Sequence, residues 1–257
     1  MYMKQTVLFI FLLFITTSAF AQEDVFGTDV KTPARHGFIL CANASADMPG
    51  GDMAKRFGFS ARIGPGVLYK TKANWFFGVK ADFIFGNQVR QDSLMANIKD
   101  KDGELLSSDG QRIIVPTYER GYLFGLQAGK LINISKKSGD NGVLFMTSVG
   151  FMQHKIDIYD KDHVAQQLLN GYIKGYDRLT NGAFIEESIT YNYFAKNNLL
   201  NFYIGVDATL GFTEGRRDYL YDVMQTGHDK RLDVLFGVRG GWYLPLFKRK
   251  SEDLLFQ

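Results

Sequence analysis

Two stretches, LLNFYIGVDATLGFT from Leu199 to Thr213 and RLDVLFGVRGGWYLPLF from Arg231 to Phe247, decide how the rest of the chain is read. From Leu200 the even positions are Leu200, Phe202, Ile204, Val206, Ala208, Leu210 and Phe212, and the odd ones are Asn201, Tyr203, Gly205, Asp207, Thr209, Gly211 and Thr213. A β-strand points successive side chains to opposite faces, so one face is wholly apolar while the other carries a carboxylate, an amide, hydroxyls and glycines. The second stretch repeats this, with Leu232, Val234, Phe236, Val238, Trp242 and Leu244 against Asp233, Leu235, Gly237, Arg239, Gly241 and Tyr243. Burying such charges in a soluble sandwich is costly. Lipid against the apolar face and a lumen behind the polar one remove the conflict, which is the pattern of a transmembrane barrel strand.

The N-terminus supplies an address. Lys4, an apolar run from Val7 to Ile15 and then Ala19-Phe20-Ala21 have the layout of a cleaved signal peptide over residues 1–21, leaving 22–257 as the barrel domain. The run is shorter than the ~20 residues a spanning helix needs, and no later run approaches that length. A membrane would therefore be crossed by a closed barrel, since open strand edges are not satisfied in hydrocarbon. The formal net charge of +3 is small and scattered, which points away from nucleic acid. Cys41 is the single cysteine, so no internal disulfide forms and a packed thiol is expected.

Outward from the opening stretches, period-two segments recur at Gly37 to Ala46, where alternation is partial, and at Phe57 to Tyr69, Trp75 to Phe85, Arg120 to Leu131, Val143 to Tyr159 and up to Phe194. In the second of these Phe57, Phe59, Ala61, Ile63, Val67 and Tyr69 share the apolar face with Ser60, Arg62 and Gly64 opposite, and Pro65 is expected to mark a bulge or a strand end. Glu186 and Glu187 are adjacent, so only one can face the lumen, and the other is expected above the hydrocarbon. The count is eight antiparallel strands. Short or moderate turns follow strands two, four and six, whereas Gly86 to Glu119, Asp160 to Asn181 and the segment after Thr213 are long. Outer-membrane barrels have short periplasmic turns and longer external loops, so both termini are expected in the periplasm, with strand eight closing on strand one.

An eight-stranded barrel has an interior about wide enough to be filled by its own side chains. Arg62, Lys80, Asp82, Gln127, His154, Asp207, Asp233 and Arg239 fall on the inner face and are expected to form a paired polar network, because a buried charge must be paired. A sharper reading makes a lipid-active hydrolase of His154 with Ser148 or Ser188 and Glu186, the groups acyl chemistry uses. Asp100-Lys101-Asp102-Gly103-Glu104 resembles part of a calcium loop without its ligand spacing or closing glutamate. His36, His163 and His228 are scattered. No metal or cofactor is expected.

The segments Gly175 to Gly182, Asn201 to Gly205, Gly211 to Asp218, and Arg231 to Gly237 through Trp242 to Leu246 resemble a family of Bacteroidota outer-membrane barrels, and within it the PorG-like proteins linked to type IX secretion and gliding motility. The resemblance spans residues 55–247. It implies a non-catalytic membrane anchor for a periplasmic ring built from a lipoprotein and its partner, touched through Lys70 to Asn74, Asn133 to Gly142, Ala195 to Asn198 and the termini. The alternatives are the hydrolase above and a surface-binding barrel that uses the loop from Gly86 to Glu119. Arginine at Val234 or Phe236 is expected to block insertion, and arginine at Leu235 to be milder.

Overall fold

The computed structural model describes residues 31–91, 93–107, 109–160, 163–195 and 200–247. The expected signal segment 1–21, most of the turn 195–198 and the basic tail Lys248-Arg249-Lys250 lie outside the described residues. The architecture belongs to the unit that begins at Thr32.

Eight strands form one closed antiparallel barrel: β1 Gly37–Gly51, β2 Ser60–Lys70, β3 Trp75–Gly86, β4 Thr117–Asn133, β5 Gly142–Ile158, β6 Thr180–Phe194, β7 Asn201–Gly215 and β8 Lys230–Phe247. Each pairs with its neighbours in sequence, and β8 closes on β1 from Gly37 opposite Phe247 to Gly51 opposite Asp233. Closure removes the free edges that hydrocarbon would not tolerate. No helix among the described residues is long and apolar enough to cross a membrane; the crossing is made by strands.

The outer surface carries the residues a soluble protein would bury. Phe38, Phe77, Phe124, Ile204, Val238 and Phe236 all point outward, the last with 57% of its surface exposed. Trp75, Tyr69, Tyr193 and Trp242 lie towards the end with short turns, and Phe85, Tyr122, Phe151 and Phe212 towards the opposite end. An apolar band between two aromatic girdles is the exterior of a transmembrane barrel of the outer-membrane type.

The connections segregate by length. The short connections of β2 to β3, β4 to β5 and β6 to β7 leave the strands at one end; the longer ones after β1, β3, β5 and β7 leave them at the other. The long loops are ordered by small hairpins, Leu105–Leu106 with Arg112–Ile113 and Arg217–Leu220 with Gln225–Gly227. Met53, Phe57, Met95, Leu105, Leu168 and Tyr176 from these loops pack on Ile156 and Leu235, forming an apolar cap over the lumen.

Several boundaries depart from the sequence reading. β1 runs on to Gly51, so Asp47 belongs to a strand and faces inward with no exposure. Phe57 is also fully buried rather than facing lipid: residues 53–57 form a tight turn, with the Phe57 N–H donating to Met53 O at 2.9 Å, and β2 begins only at Ser60. Period two holds only within the strand, which is why the extrapolation back to Phe57 fails. β4 begins at Thr117, so Glu119 joins the wall instead of the loop.

Pro65 neither ends β2 nor bulges it. The register to β3 is the same before and after, Ile63 opposite Phe83 and Gly66 opposite Lys80, and only the pairs at Gly64 and Pro65 are missing. Proline removes one ladder donor, and a Cβ at Gly64 would collide with the Ala81 carbonyl. Close approach of the two backbones carries the strand through the gap.

Candidate functional site

The lumen is filled in layers. Nearest the short turns, Ile39, Leu68, Phe76, Leu131, Leu144, Phe194, Tyr203 and Tyr243 make an apolar layer that includes Cys41. Tyr203 and Tyr243 stack at 4.8 Å, and Phe194 stacks on Tyr243 at 5.2 Å. The two hydroxyls are satisfied, Tyr203 donating to Asn43 Oδ1 at 2.5 Å and Tyr243 to Asn192 Oδ1 at 2.8 Å. A cavity of about 20 Å³ lies between Gln127, Ser188 and Arg239, room for about one water.

Above it lies a charge layer centred on Glu186, which has no exposed surface. Its Oε1 accepts from Lys80 Nζ at 2.5 Å and Arg239 Nη1 at 2.7 Å; its Oε2 accepts from Arg62 Nη1 at 2.7 Å and Thr209 Oγ1 at 3.1 Å. Arg62 spans further to Asp47, with Nε at 2.8 Å and Nη2 at 2.7 Å, and its Nη2 also donates to Asp207. Asp82 pairs with Lys80 at 3.0 Å. The layer thus holds three cations, Arg62, Lys80 and Arg239, against four carboxylates, Asp47, Asp82, Glu186 and Asp207. Room for Asp47 comes from Gly237, where a Cβ would strike its carboxylate.

Towards the long loops stands a third group. His154 Nε2 is 2.8 Å from Asp233 Oδ2, which also accepts from Thr213 Oγ1 at 2.5 Å. Arg56, 3% exposed, closes the lumen from above, donating through Nη1 to Thr180 Oγ1 at 2.9 Å and to the Arg178 carbonyl at 3.3 Å. Burial first and Arg231 next push its guanidinium down to about 10. The neighbouring Arg178 is bound to Asp222 at 2.5 Å.

The residues picked from sequence therefore fall into two groups. Arg62, Lys80, Asp82, Asp207 and Arg239 meet at the centre with Gln127 beside them; His154 and Asp233 pair one level higher. The hydrolase arrangement is not assembled. His154 Nδ1 has no hydrogen-bond partner and the other nitrogen is on Asp233, Ser148 Oγ has none, Ser188 Oγ donates to the Met146 carbonyl at 3.4 Å, and Glu186 is taken up by cations. Asp100, Asp102 and Glu104 surround Arg112.

Asp47, Glu119 and Arg56 are lumen groups outside the predicted set, and Glu186 is the member of the Glu186–Glu187 pair that faces in; all but Arg56 carry a signal. Asp47 shares parity with Cys41, Asn43 and Ser45, Glu119 with Leu123 and Gly125, and Glu186 with Ser188, Thr190 and Asn192. Arg56 leaves none, because it enters from a turn. Glu187 is not above the hydrocarbon but on the outer face of β6 between Ile185 and Ile189, where Thr147 Oγ1 donates to it at 2.9 Å.

At the short-turn end Asp140 holds the chain before β1. It accepts from Arg35 Nε at 2.6 Å and Lys70 Nζ at 2.8 Å, while Lys70 also reaches the Arg35 carbonyl at 2.7 Å. Thr32 bridges Ser138. The segment leading into the barrel is thereby fastened to the turn 134–141.

Fold and lumen together define a closed, eight-stranded transmembrane barrel of the outer-membrane type, plugged by its own side chains. Similar architectures occur among solved structures. Neisserial surface protein A is 11% identical, over 81% of this chain and 96% of that one, with a TM-score of 0.44. Ail, the attachment invasion locus protein of Yersinia pestis, solved with the heparin analogue sucrose octasulfate, is 10% identical over 81% and 99%, with a TM-score of 0.41. The N-terminal barrel domain of Pseudomonas aeruginosa OprF is 9% identical over 79% and 96%, with a TM-score of 0.33. No family model and no curated protein matches the chain.

Proposed function

We propose that the protein is a non-catalytic barrel of the outer membrane that anchors a periplasmic assembly of a secretion and gliding-motility apparatus, the role implied by its resemblance to PorG-like proteins. One observation carries the non-conducting part of this reading: among the described residues the lumen is occupied in turn by the aromatic layer, the Glu186-centred ion pairs and the loop cap. Such filling supports a role played by the ends and the outer wall of the barrel rather than by conduction or catalysis in its lumen.

The orientation in this reading places the short turns and both termini in the periplasm. There the Asp140 clasp presents 32–35 and 134–141 as one joined surface, a suitable platform for a ring lipoprotein and its partner. Extraction in mild detergent followed by affinity capture of the barrel tests the proposal. Ring components should co-purify, and Asp140→Asn should reduce their recovery while the barrel itself is still captured. Recovery of folded wild-type barrel without any ring component would sink it.

A further inference from the structure

At the long-loop end the balance of charge reverses. All four loops reach one open cavity of about 470 Å³, whose charged lining is Lys55, Arg56, Arg90, Arg178, Arg231 and Asp229. That volume lies within the ~300–1,000 Å³ usual for small-molecule sites. Most of the acids nearby are already engaged: Asp52 by Lys55 at 2.7 Å, Asp222 by Arg178 at 2.5 Å, and Asp233 by His154 and Thr213, leaving it 3.5 Å from Arg56. Arg90 and Arg231 have no ion pair among the described residues. The Nε–H groups of Arg56, Arg178 and Arg231 are buried and donate to no acceptor among the described residues. A buried donor without an acceptor is costly, and three on adjacent guanidiniums call for an acceptor that also brings negative charge.

We propose that this mouth binds an anionic sugar, one bearing a phosphate or sulfate monoester, with Arg56, Arg178 and Arg231 holding the anion. Planar guanidinium forks match tetrahedral oxyanions through paired, charge-assisted hydrogen bonds. The cavity is larger than the anion alone requires, and Gln91, Ser93 and Gln225 line the remainder with amides and a hydroxyl suited to a sugar ring. Its floor is the lumen itself, since Arg56 bonds Thr180 at the start of β6, so a ligand enters from the loop side. A free sugar phosphate and the phosphorylated sugar headgroup of a lipid share this chemistry. The inference concerns the opposite end from the proposed anchor and does not depend on it.

Calorimetric titration of the purified full barrel in zwitterion-free detergent, using glucose 6-phosphate, glucose and inorganic phosphate, tests it. Saturable binding of glucose 6-phosphate is expected, with none of glucose, and the double variant Arg90→Gln/Arg231→Gln should weaken it by about tenfold or more while retaining the gel mobility of a folded barrel. Repeating the titration in nanodiscs with and without lipid A assigns the source: competition by lipid A identifies the lipid headgroup, and an unchanged affinity identifies the soluble sugar. Binding by the double variant equal to wild type, or no binding of glucose 6-phosphate by the wild type, would overturn the site. Equal affinity for inorganic phosphate and glucose 6-phosphate would overturn its assignment to a sugar.

Discussion

Arg62 and Arg56 are both almost wholly buried, at 2% and 3% exposure, yet they sit in opposite surroundings. Arg62 meets Asp47, Glu186 and Asp207 and has a carboxylate for each of its donor nitrogens. Arg56 meets hydroxyl and carbonyl oxygens, a single carboxylate, Asp233, at 3.5 Å, and two other guanidiniums. Burial alone therefore does not tell a structural charge from a functional one. Orphan donors alone do not separate the two either, since Arg239 Nε in the plug also lacks a partner among the described residues; the balance of charge does, with four carboxylates to three cations in the plug and five cations to one acid lining the mouth.

The contrast can be tested by removing each arginine. Arg62→Met leaves three buried carboxylates facing one another across the lumen, and should cost about 3–5 kcal/mol in urea unfolding followed by heat-modifiable gel mobility. A loss no larger than that of a surface ion pair would erase the distinction. Placing an arginine where there is no acid at all is the next largest change. Phe236→Arg exposes a guanidinium to lipid and should cost about 2–4 kcal/mol near the midplane, read as reduced membrane insertion. Leu235→Arg, expected from alternation to be milder, now points into the packed loop cap beside Phe57 and Tyr176, so it should be comparably damaging.

Arg56→Met removes hydrogen bonds to Thr180 and the Arg178 carbonyl and a long one of 3.5 Å to Asp233, but also relieves crowding by Arg231 and Arg178, and should cost about 1–2 kcal/mol in the same unfolding assay. A cost matching that of Arg62→Met would mean the mouth is as fully paired as the plug. Lys55→Ala should change stability least, by about 1 kcal/mol or less, because the pair with Asp52 is exposed. The Lys55 hydrogen bond holds Asp52 below the usual carboxylate range. Its small contribution is therefore present at neutral pH and is lost only as pH falls through that lowered range, which pH-dependent unfolding of the two proteins would resolve.

Much of the barrel was legible from one strand at a time. Val79 to Phe83 alternates strictly, and the wall that Trp75 to Phe85 forms in β3 has the predicted faces, Lys80 and Asp82 inside and Phe77 and Phe83 outside. Reading failed where the alternation met another signal. Asp47 sits beside Met48, Pro49 and two glycines, a composition typical of turns, yet it lies within β1. Glu119 adjoins a long polar loop whose composition hides its place in the alternation of β4. Adjacent Glu186 and Glu187 showed that one must face outward, but the level of Glu187 in the wall depends on strand register, and register is fixed by pairing across strands.

By itself the sequence determined the class of this protein: the side-chain period of two, sustained with lipid-compatible residues on one face, leaves a closed barrel as the fold that satisfies every backbone group in hydrocarbon. It also determined which residues line the lumen wherever the alternation is clean. Only the tertiary structure decided which of those charges meet. Glu186 comes from β6, Arg62 from β2, Lys80 from β3 and Arg239 from β8, and their contacts depend on barrel closure and stagger rather than on any local pattern. The mouth was decided there too, because Arg56, Arg90, Arg178 and Arg231 are carried by separate segments, most of them loops, that carry no common period and are brought together by packing alone.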